Sequence, residues 1–582
     1  MKKRKLSPLI SDSIYKSGAR SKIFKKSFEE QFFGVEHLGE VPKERLSFIK
    51  FVAVFVLAIG LVRLFYLTII QGATNLALAE ENRVRLVDME APRGRILARD
   101  GSVLAESKRT YYLENGDKKT QISREQVEAL SKEGLAGEDF SGPLGKIVAK
   151  VERVYPSGIF ASHVTGYVSP VNEEDVKADN SLAAFESFGR DGIEETYDAV
   201  LRGENGKKLV EVDSSHKKIS ILGEEDALVG QDVNLTVDAA LQKKSYEALS
   251  AGVEKAKAKS GALIVTNPQN GEILSLVSFP SYDPADIGKA LVSDDLPLFN
   301  RAIGGNYPPG SVFKIATAIA GLASGKIDKD TQIEDVGQFS LGGETFSNWY
   351  YNTYGQKDGI IKLDRAIARS NDIYFYRLGE RTGLEEMRRW ILKLGFGRKS
   401  GVDLPGEAFG VVPDELWKKA NIGEGWYLGD TMHLAIGQGF MVTTPLQVNA
   451  MTAYVANGQN IIKPHLASKI VSSEGKVLEV AAGDGEKVEL PGEYLDVIRQ
   501  GMRQACQEKG TAYPFFNAPY SVACKTGTAE KFQGNPHAWF TAYAPFEAPK
   551  VAITVIIENG GEGSSAAAPV AREVLDWYFS RR

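Results

Sequence analysis

The first residues with a spacing suited to chemistry lie in the stretch YPPGSVFKIATAIAGLASG, from Tyr307 to Gly325. Ser311 and Lys314 are three residues apart at the predicted start of an apolar helix, so their side chains share one face. Serine needs an adjacent base, and lysine serves as one only when burial or nearby positive charge lowers its pKa. The helix N-terminus also offers N–H groups to a developing oxyanion. Alone the pair is a weak signal, because prolines, glycine and serine also begin ordinary helices.

A second candidate motif is Ser370-Asn371-Asp372, within ARSNDIYFYRLG. A serine and a carboxylate relay a proton to a leaving amine when they line the cleft that holds the nucleophile. The tripeptide is common by chance, so its weight comes from its position after the first motif.

The third candidate motif is Lys525-Thr526-Gly527-Thr528, on a predicted strand in VACKTGTAE. Lys525 supplies positive charge that also keeps Lys314 neutral. Thr526 is suited to bind a substrate carboxylate, and Gly527 lets a peptide lie against the strand edge because it has no side chain. Three such motifs in this order are not expected by chance, so together they predict serine acyl-transfer chemistry.

The size and charge of the chain limit what surrounds these motifs. Its 582 residues predict two or three domains, and 43% hydrophobic and 25% charged residues are globular values. Residues 1–50 hold 12 Lys and Arg against 6 Asp and Glu, so the remaining chain holds 58 against 69. A basic arm on an acidic body argues against nucleic acid as a partner.

The cysteines and histidines do not predict a metal site or a disulfide framework. Cys506 and Cys524 are the two cysteines, and each is expected to be a small buried apolar residue rather than half of a bridge. The six histidines are scattered without ligand spacing, so no structural zinc is predicted.

A membrane anchor is predicted from Phe48 to Ile70, where only Lys50 and Arg63 interrupt an apolar run. The run reaches the roughly 20 residues that span a bilayer, and the basic residues 1–47 place the N-terminus in the cytoplasm. A cleaved signal peptide is the alternative, because ALA at 77–79 resembles a cleavage site. The long N-terminal segment favours an uncleaved anchor, so the body is predicted to lie outside the cytoplasmic membrane.

Residues 71–222 are predicted to form a non-catalytic domain of short strands and helices. The turn glycines of 91–107 predict a hairpin, and 160–168 is a further strand candidate. The polar stretch 123–154 has helical periodicity, and 189–206 is predicted to be a helix ended by glycine.

Residues 223–582 are predicted to form the catalytic domain. Two apolar strands form a predicted hairpin at 261–279, helix-rich sequence follows at 311–455, and later strands precede a final helix at 565–580. Strands at both ends with helices between them predict one antiparallel sheet flanked by helices, an α+β fold.

Further segments match one protein family. They are RLFYLTIIQG, APRGRILARDGSVLA, DGIEETYDAVLRGENG, GWYLGDTMHLAIGQGFMVTTPLQ, KTGTAEKF and HAWFTAYAP. With the three motifs, they make the chain resemble the class B penicillin-binding proteins, which are monofunctional D,D-transpeptidases. Asp372, where division-type relatives usually have Asn, resembles the elongation-type penicillin-binding protein 2. The resemblance implies an anchor helix, an elongated pedestal (dimerisation-like) domain and a transpeptidase domain of penicillin-binding and β-lactamase-like fold.

The resemblance also implies roles for the candidate residues. Ser311 is the expected acylated nucleophile and Lys314 its base. Ser370 and Asp372 are expected to line the cleft and relay protons, with Lys525 beside them.

The expected binding residues are on the third motif. Thr526 is expected to hold the terminal carboxylate of the substrate beside Gly527, and the N–H groups of Ser311 and Thr528 are expected to form the oxyanion hole. No cofactor is expected. Some elongation-type relatives hold a metal between the first two motifs through Asp, His and Cys, but 312–369 contains no His or Cys, so none is expected here.

The implied function is that of a peptidoglycan D,D-transpeptidase in cell elongation and shape maintenance. It cross-links stem pentapeptides ending in D-Ala-D-Ala and is acylated by β-lactams. The expected partners are a polytopic SEDS-type glycan polymerase of the elongation machinery and associated scaffold proteins, at the bacterial cytoplasmic membrane. A division-type transpeptidase is the main alternative, and a serine β-lactamase or a degenerate β-lactam sensor or scaffold are the others. The pedestal and the three intact motifs disfavour those last two.

Overall fold

The computed structural model describes residues 43–582 except 136–140, 180–181, 183–185, 213–217, 459, 481–482, 484, 532–533 and 582. The predicted cytoplasmic tail, residues 1–47, therefore lies almost entirely outside the described residues. The described chain divides between two compact units, one within residues 1–85 and 211–216 and the other within 86–210 and 217–582.

The first unit contains the predicted anchor. Helix α1 (Lys43–Phe65) continues through a π-helical turn (Tyr66–Ile70), and α2 (Gly72–Arg83) follows. The 25 residues Leu46–Ile70 form a helix long and apolar enough to cross a membrane, and their side chains are not buried by the rest of the chain. The predicted span, which begins at Phe48, is thus helical throughout.

The described residues of 84–235 contain short strands and helices. The strands are β1 (Val84–Met89), β2 (Ile96–Leu97), β3 (Val103–Asn115), β4 (Lys118–Ile122), β5 (Ser141–Gly142), β6 (Gly145–Val154), β7 (Val168–Pro170), β8 (Ser187–Gly189), β9 (Gly206–Val212), β10 (Lys218–Glu225) and β11 (Asp232–Leu235). The helices are α3 (Arg124–Lys132), α4 (Ser162–Thr165), α5 (Glu173–Ala178), α6 (Gly192–Thr196) and α7 (Asp198–Leu201).

Two predictions in this region are wrong. Among the described residues of 123–154, only α3 is helical, and the stretch ends in strand β6, which pairs with β3. The sequence GKIVAKVERV of β6 is rich in valine and isoleucine, which favour strands. The predicted strand 160–168 is mainly the short helix α4, because glycines at positive φ, Gly158 and Gly166, turn the chain on both sides.

The predicted hairpin at 91–107 is confirmed as β2 and β3, and it belongs to a sheet that reaches across the predicted domain boundary. The sheet order is β20 (Val477–Glu479), β19 (Ala467–Val471), β11, β2, β3, β6 and β5, with β4 also pairing with β3. Strand β11 pairs in parallel with β2 and antiparallel with β19 (Ala467–Val471). Backbone hydrogen bonds thus join residues 71–222 to residues 223–582, and the boundary between them stays a prediction.

The remaining strands and helices lie between residues 239 and 580, and some of them carry the three motifs. The strands are β12 (Gly261–Thr266), β13 (Ile273–Phe279), β14 (Ile333–Asp335), β15 (Gln338–Leu341), β16 (Glu344–Ser347), β17 (Gly359–Ile361), β18 (Asn460–Ile461), β19, β20 (Val477–Glu479), β21 (Glu486–Lys487), β22 (Ala523–Ala529), β23 (His537–Ala544) and β24 (Val551–Ile557). The helices are α8 (Ala239–Lys255), α9 (Gly288–Leu291), α10 (Arg301–Gly304), α11 (Lys314–Ala323), α12 (Trp349–Tyr354), α13 (Leu363–Arg369), α14 (Asp372–Thr382), α15 (Leu384–Lys393), α16 (Glu415–Asn421), α17 (Leu428–Ala435), α18 (Pro445–Asn457), α19 (Gly492–Ala505) and α20 (Ala567–Ser580).

The predicted antiparallel sheet from both chain ends is confirmed. Its order is β13-β12-β24-β23-β22, and every neighbouring pair is antiparallel. Helices α8 and α20 share an apolar core with one face of the sheet, where Leu249, Val253, Val574 and Phe540 are buried. The strand of the third motif, β22, is at the edge of this sheet.

The expectation of two unpaired cysteines is wrong. Cys506 and Cys524 form a disulfide with their Cα atoms 5.9 Å apart. Both are buried, as expected, but Cys506 ends α19 and Cys524 lies in β22, so packing of that helix on that strand brings them together. Such a long-range contact leaves no mark in the spacing of the two residues. The compartment predicted for the body, outside the cytoplasmic membrane, permits disulfides.

Candidate active site

The segment that carries Ser311 is a tight turn that packs against strands β22 and β23. Residues Gly310–Phe313 form a 3-10 turn that leads directly into α11. Gly310 has φ +55°, and a Cβ there would lie 2.5 Å from the carbonyl oxygen of Thr528, so glycine lets the turn touch β22. The indole Nε1 of Trp539 donates to the carbonyl of Pro308 at 3.0 Å. The turn thus presents Ser311, whose side chain is partly exposed, beside the edge strand.

Lys314 is fully buried and contacts the second motif. Its Nζ donates to Asp372 Oδ1 at 2.6 Å, to the carbonyl of Ser370 at 2.8 Å and to Ser370 Oγ at 3.3 Å. Burial lowers the pKa of Lys314, and the nearby Asp372 carboxylate opposes that shift. The hydrogen bonds of this lysine go to Ser370 and Asp372, not to Ser311.

Lys525 approaches the same serine from the third motif. It is fully buried, and its Nζ donates to Ser370 Oγ and to the carbonyl of Thr526, both at 2.8 Å. Burial, and then the positive charge of Lys314, hold the pKa of Lys525 well below its usual range. Because the Asp372 carboxylate pairs with Lys314, a proton shared by the two lysines is favoured on the Lys314 amine rather than on that of Lys525. This differs from the sequence-based expectation, in which the charge of Lys525 keeps Lys314 neutral.

The second motif occupies the turn between α13 and α14. Ser370 ends α13 with φ +53°, in the left-handed region, and is buried. The Asn371 side chain accepts a hydrogen bond from the Tyr374 N–H at 2.9 Å and so caps α14. Asp372 Oδ2 accepts from the Trp349 N–H at 2.9 Å, which leaves its other oxygen for Lys314.

The third motif packs against the nucleophile turn. A Cβ on Gly527 would lie 2.9 Å from Val312 Cγ1 and 3.0 Å from Trp539 Cβ. Glycine is therefore required for the contact between β22 and the turn, which is a different reason from the peptide binding expected from the sequence. Thr528 Oγ1 accepts from the Gly563 N–H at 3.5 Å.

Two residues that contact the motifs were not predicted from the sequence. Thr511 shares a hydrogen bond of 2.8 Å with Thr526 between their hydroxyl oxygens. Trp349 orients Asp372 through its backbone N–H. Neither belongs to a motif, and only the folded contacts reveal them. Among the described residues, no group of three or more His, Cys, Asp and Glu side chains is arranged to hold a metal ion.

Comparison with known families agrees with this geometry. The penicillin-binding protein transpeptidase domain matches residues 261–576, and the penicillin-binding protein dimerisation domain matches residues 114–235. The chain belongs to the class B penicillin-binding proteins. In this class B protein, the three motifs lie within the matched transpeptidase domain, and the predicted family and fold class are confirmed.

Individual relatives of this class B protein carry more specific names. A peptidoglycan D,D-transpeptidase MrdA of Salmonella typhimurium (strain SL1344) is 34% identical over 464 residues, which cover 74% of this chain and 73% of the relative. A penicillin-binding protein, PBP2, in complex with MreC from Helicobacter pylori has a TM-score of 0.72 at 28% identity and covers 86% of this chain and 99% of that one. A chain of a peptidoglycan synthase complex that coordinates polymerization and crosslinking has a TM-score of 0.74 at 28% identity. The match covers 94% of this chain and 99% of that one.

Proposed function

We propose that this chain is a peptidoglycan D,D-transpeptidase that cross-links stem peptides through an acyl-enzyme on Ser311. The observation that carries the proposal is the Ser370 hydroxyl, which lies within 3.3 Å of Lys314 Nζ and 2.8 Å of Lys525 Nζ. A hydroxyl between two buried amines is a path for a proton, and the nucleophile is one helical turn from the first amine. The relative named D,D-transpeptidase supports the same reaction.

The lysine pair sets the first proton transfers. Lys314 gives a proton to Ser370 Oγ, and the hydroxyl proton of Ser370 passes to the Lys525 amine, which is unprotonated because burial lowers its pKa. This transfer is uphill, because Asp372 favours the proton on Lys314, so the neutral form of Lys314 is a minor one. Lys314 is then neutral and takes the proton of Ser311 as Oγ attacks the carbonyl carbon. Asp372 stabilises the ammonium form of Lys314 at the start and at the end of this step.

The edge of β22 is the proposed binding surface for the donor stem peptide. An extended peptide adds to an open strand edge through backbone hydrogen bonds. The hydroxyls of Thr526 and Thr511 lie together and bind the terminal carboxylate. The N–H groups of Ser311 and Thr528 stabilise the oxyanion.

The acyl transfer proceeds in two steps. Ser311 Oγ bonds to the carbonyl carbon of the D-Ala–D-Ala peptide bond, the C–N bond breaks, and D-Ala leaves with a proton relayed from Lys314. An amine of a neighbouring stem peptide then attacks the ester, forms the cross-link and restores the serine hydroxyl. β-Lactams acylate the same serine, but their ester hydrolyses slowly.

We propose that this activity serves cell elongation and shape. The support is Asp372 in the second motif, the relative named MrdA and the structural similarity to PBP2 bound to MreC. A SEDS-type glycan polymerase and scaffold proteins of the elongation machinery are the proposed partners, supported by the similarity to a synthase complex that couples polymerization to crosslinking. The pedestal, 71–222, carries the transpeptidase domain, 223–582, outside the cytoplasmic membrane, and residues 1–47 lie in the cytoplasm.

A direct test supplies the full chain, in detergent micelles, with a stem pentapeptide ending in D-Ala-D-Ala and an acceptor amine. Wild type is expected to release D-Ala and form the cross-linked product, while Ser311→Ala forms neither. Product without Ser311 would contradict the mechanism. Depletion in cells distinguishes the role, because rounded cells indicate elongation and filaments indicate the division-type alternative.

A further inference from the structure

A buried carboxylate outside the three motifs is connected to the second motif. Asp335, at the end of β14, is 2% exposed, and its two oxygens accept four hydrogen bonds from uncharged N–H groups. Oδ1 accepts from the Gly337 N–H at 2.8 Å. Oδ2 accepts from Asn348 Nδ2 at 2.9 Å, from the Asp358 N–H at 2.9 Å and from Asn371 Nδ2 at 3.0 Å. We call Asp335, Asn348 and Asn371 the Asp335 hub.

The orientation of both amides in the Asp335 hub is fixed. Asn348 Oδ1 accepts from the Asp372 N–H at 3.2 Å, and Asn371 Oδ1 accepts from the Tyr374 N–H at 2.9 Å. Since an amide has an acceptor end and a donor end, each NH₂ group must face the Asp335 carboxylate. Both asparagines are fully buried, so a lost partner would leave an unsatisfied polar group.

The Asp335 hub holds the backbone on both sides of the catalytic carboxylate. Asn371 is the residue between Ser370 and Asp372. Asn348 precedes Trp349, whose N–H donates to Asp372 Oδ2. A displacement at either asparagine therefore moves Asp372 relative to Lys314, where the present distance is 2.6 Å.

We propose that Asp335 is a positioning residue for the acylation step. Through Asn348 and Asn371 it holds the Ser370 hydroxyl and the Asp372 carboxylate at hydrogen-bond distance from Lys314. The inference rests on the proposed function, because it specifies how the proton-transfer groups of that reaction are aligned. Asp335 itself touches neither lysine; it acts through the two amides.

The residues of the Asp335 hub do not fit a divalent cation. A metal ligand must offer a lone pair, whereas Asp335 Oδ2 already accepts from three N–H groups and both asparagines direct NH₂ groups toward it. The neighbouring Asp358 carboxylate is also occupied, because it accepts from Arg369 Nε at 3.0 Å and from Asn371 Nδ2 at 3.1 Å. We infer that hydrogen bonds, not a metal, hold the segment between the first two motifs of this chain.

The test compares Asp335→Asn with wild type in the full chain, in detergent micelles. The acylation rate is measured against penicillin concentration, which separates the initial binding constant from the acylation rate constant, and it is repeated across pH 5–10. The acylation rate constant is expected to fall about tenfold to hundredfold, because small misplacements cost this much, and its pH profile is expected to shift, while the binding constant stays unchanged. Equal fold-changes in both constants, or an unaltered pH profile, would overturn the proposal.

A matched control separates positioning from stability. Glu407 is a buried carboxylate whose oxygens accept from the Ser400 and Gly401 N–H groups at 2.6 and 3.0 Å. Glu407→Gln is expected to lower the melting temperature without changing the acylation rate constant or its pH profile. If both variants lose acylation only in proportion to stability, Asp335 has no positioning role.

Two further arms keep the inference testable. The fall in the acylation rate constant caused by Asp335→Asn is expected to be smaller when Asp372→Asn is also present, because both changes act on the contact between Lys314 and Asp372. Additive effects of the two changes on that rate constant would contradict this. If Asp335→Asn does not fold, Asn348→Ser must show the same loss of the acylation rate constant with unchanged binding. A chelator that slows wild-type acylation, with recovery on added zinc, would overturn the metal-free assignment. Failure of wild type to form any adduct would instead overturn the proposed function.

Discussion

Replacement of Asp372 by Asn is expected to move the pH dependence of acylation to lower pH. Lys314 Nζ lies 2.6 Å from Asp372 Oδ1, and the carboxylate raises the pKa of the buried lysine. An Asn side chain of the same shape removes the negative charge and has one acceptor oxygen, so it keeps the hydrogen bond from Lys314 and loses the one from the Trp349 N–H. The ammonium form of Lys314 becomes less favourable, so its pKa falls and the neutral base is available at lower pH.

The size of the shift follows from the contact. An opposite charge within about 4–6 Å of an ionisable group shifts its pKa by about 1–3 units. The substitution removes that charge but leaves a hydrogen bond from the ammonium to the amide oxygen, so the lower end of this range applies. The ascending limb of the acylation rate is therefore expected to move about one pH unit downward.

The assay measures the second-order acylation rate constant with a fluorescent penicillin at pH values from 5 to 10. A matched control is Asp430→Asn, because Asp430 also lies 2.6 Å from a buried lysine, Lys418, but outside the three motifs. The control is expected to leave the ascending limb where it is in wild type. A limb that stays in place or moves upward in Asp372→Asn would refute the assignment of Lys314 as the base.

Two other predictions concern the third motif and its surroundings. Changing both Cys506 and Cys524 to Ser is expected to lower the free energy of unfolding by about 3 kcal/mol, because the bridge closes a short loop. Denaturant unfolding measures this free energy, and an unchanged value would contradict the pairing of the two cysteines. Gly527→Ala is expected to slow acylation, since its Cβ meets Val312, whereas Gly425→Ala has open space around it and is expected to acylate normally. Equal rates in the two variants would contradict the packing role of Gly527.

The nature and order of the candidate residues could be predicted from the sequence. Few sites in proteins use a serine nucleophile, two lysines and a second serine together. The order of these residues along the chain therefore predicts serine acyl-transfer chemistry. The structure places Lys314, Ser370, Asp372 and Lys525 in one hydrogen-bonded cluster. The antiparallel sheet was equally predictable, because apolar strands lie at both ends of 223–582 with helices between them.

The rest depends on contacts between residues that are far apart in the chain. The Cys506–Cys524 bridge follows from the packing of a helix on a strand. Asp335 has no sequence signal, because its partners are ordinary asparagines and backbone N–H groups. The sequence also could not show which lysine carries the proton. That followed from the 2.6 Å distance between Lys314 Nζ and Asp372 Oδ1, because the carboxylate favours the ammonium form of Lys314 over that of Lys525.

The acyl-enzyme on Ser311 is tested most directly by intact mass measurement. The full chain in detergent micelles is incubated with benzylpenicillin for hours, and the adduct is mapped by peptide digestion, with Ser311→Ala in parallel. We expect one stable adduct on wild type, located on Ser311, and none on the variant. An adduct on Ser311→Ala, no adduct on wild type, or rapid loss of the adduct would contradict the transpeptidase mechanism.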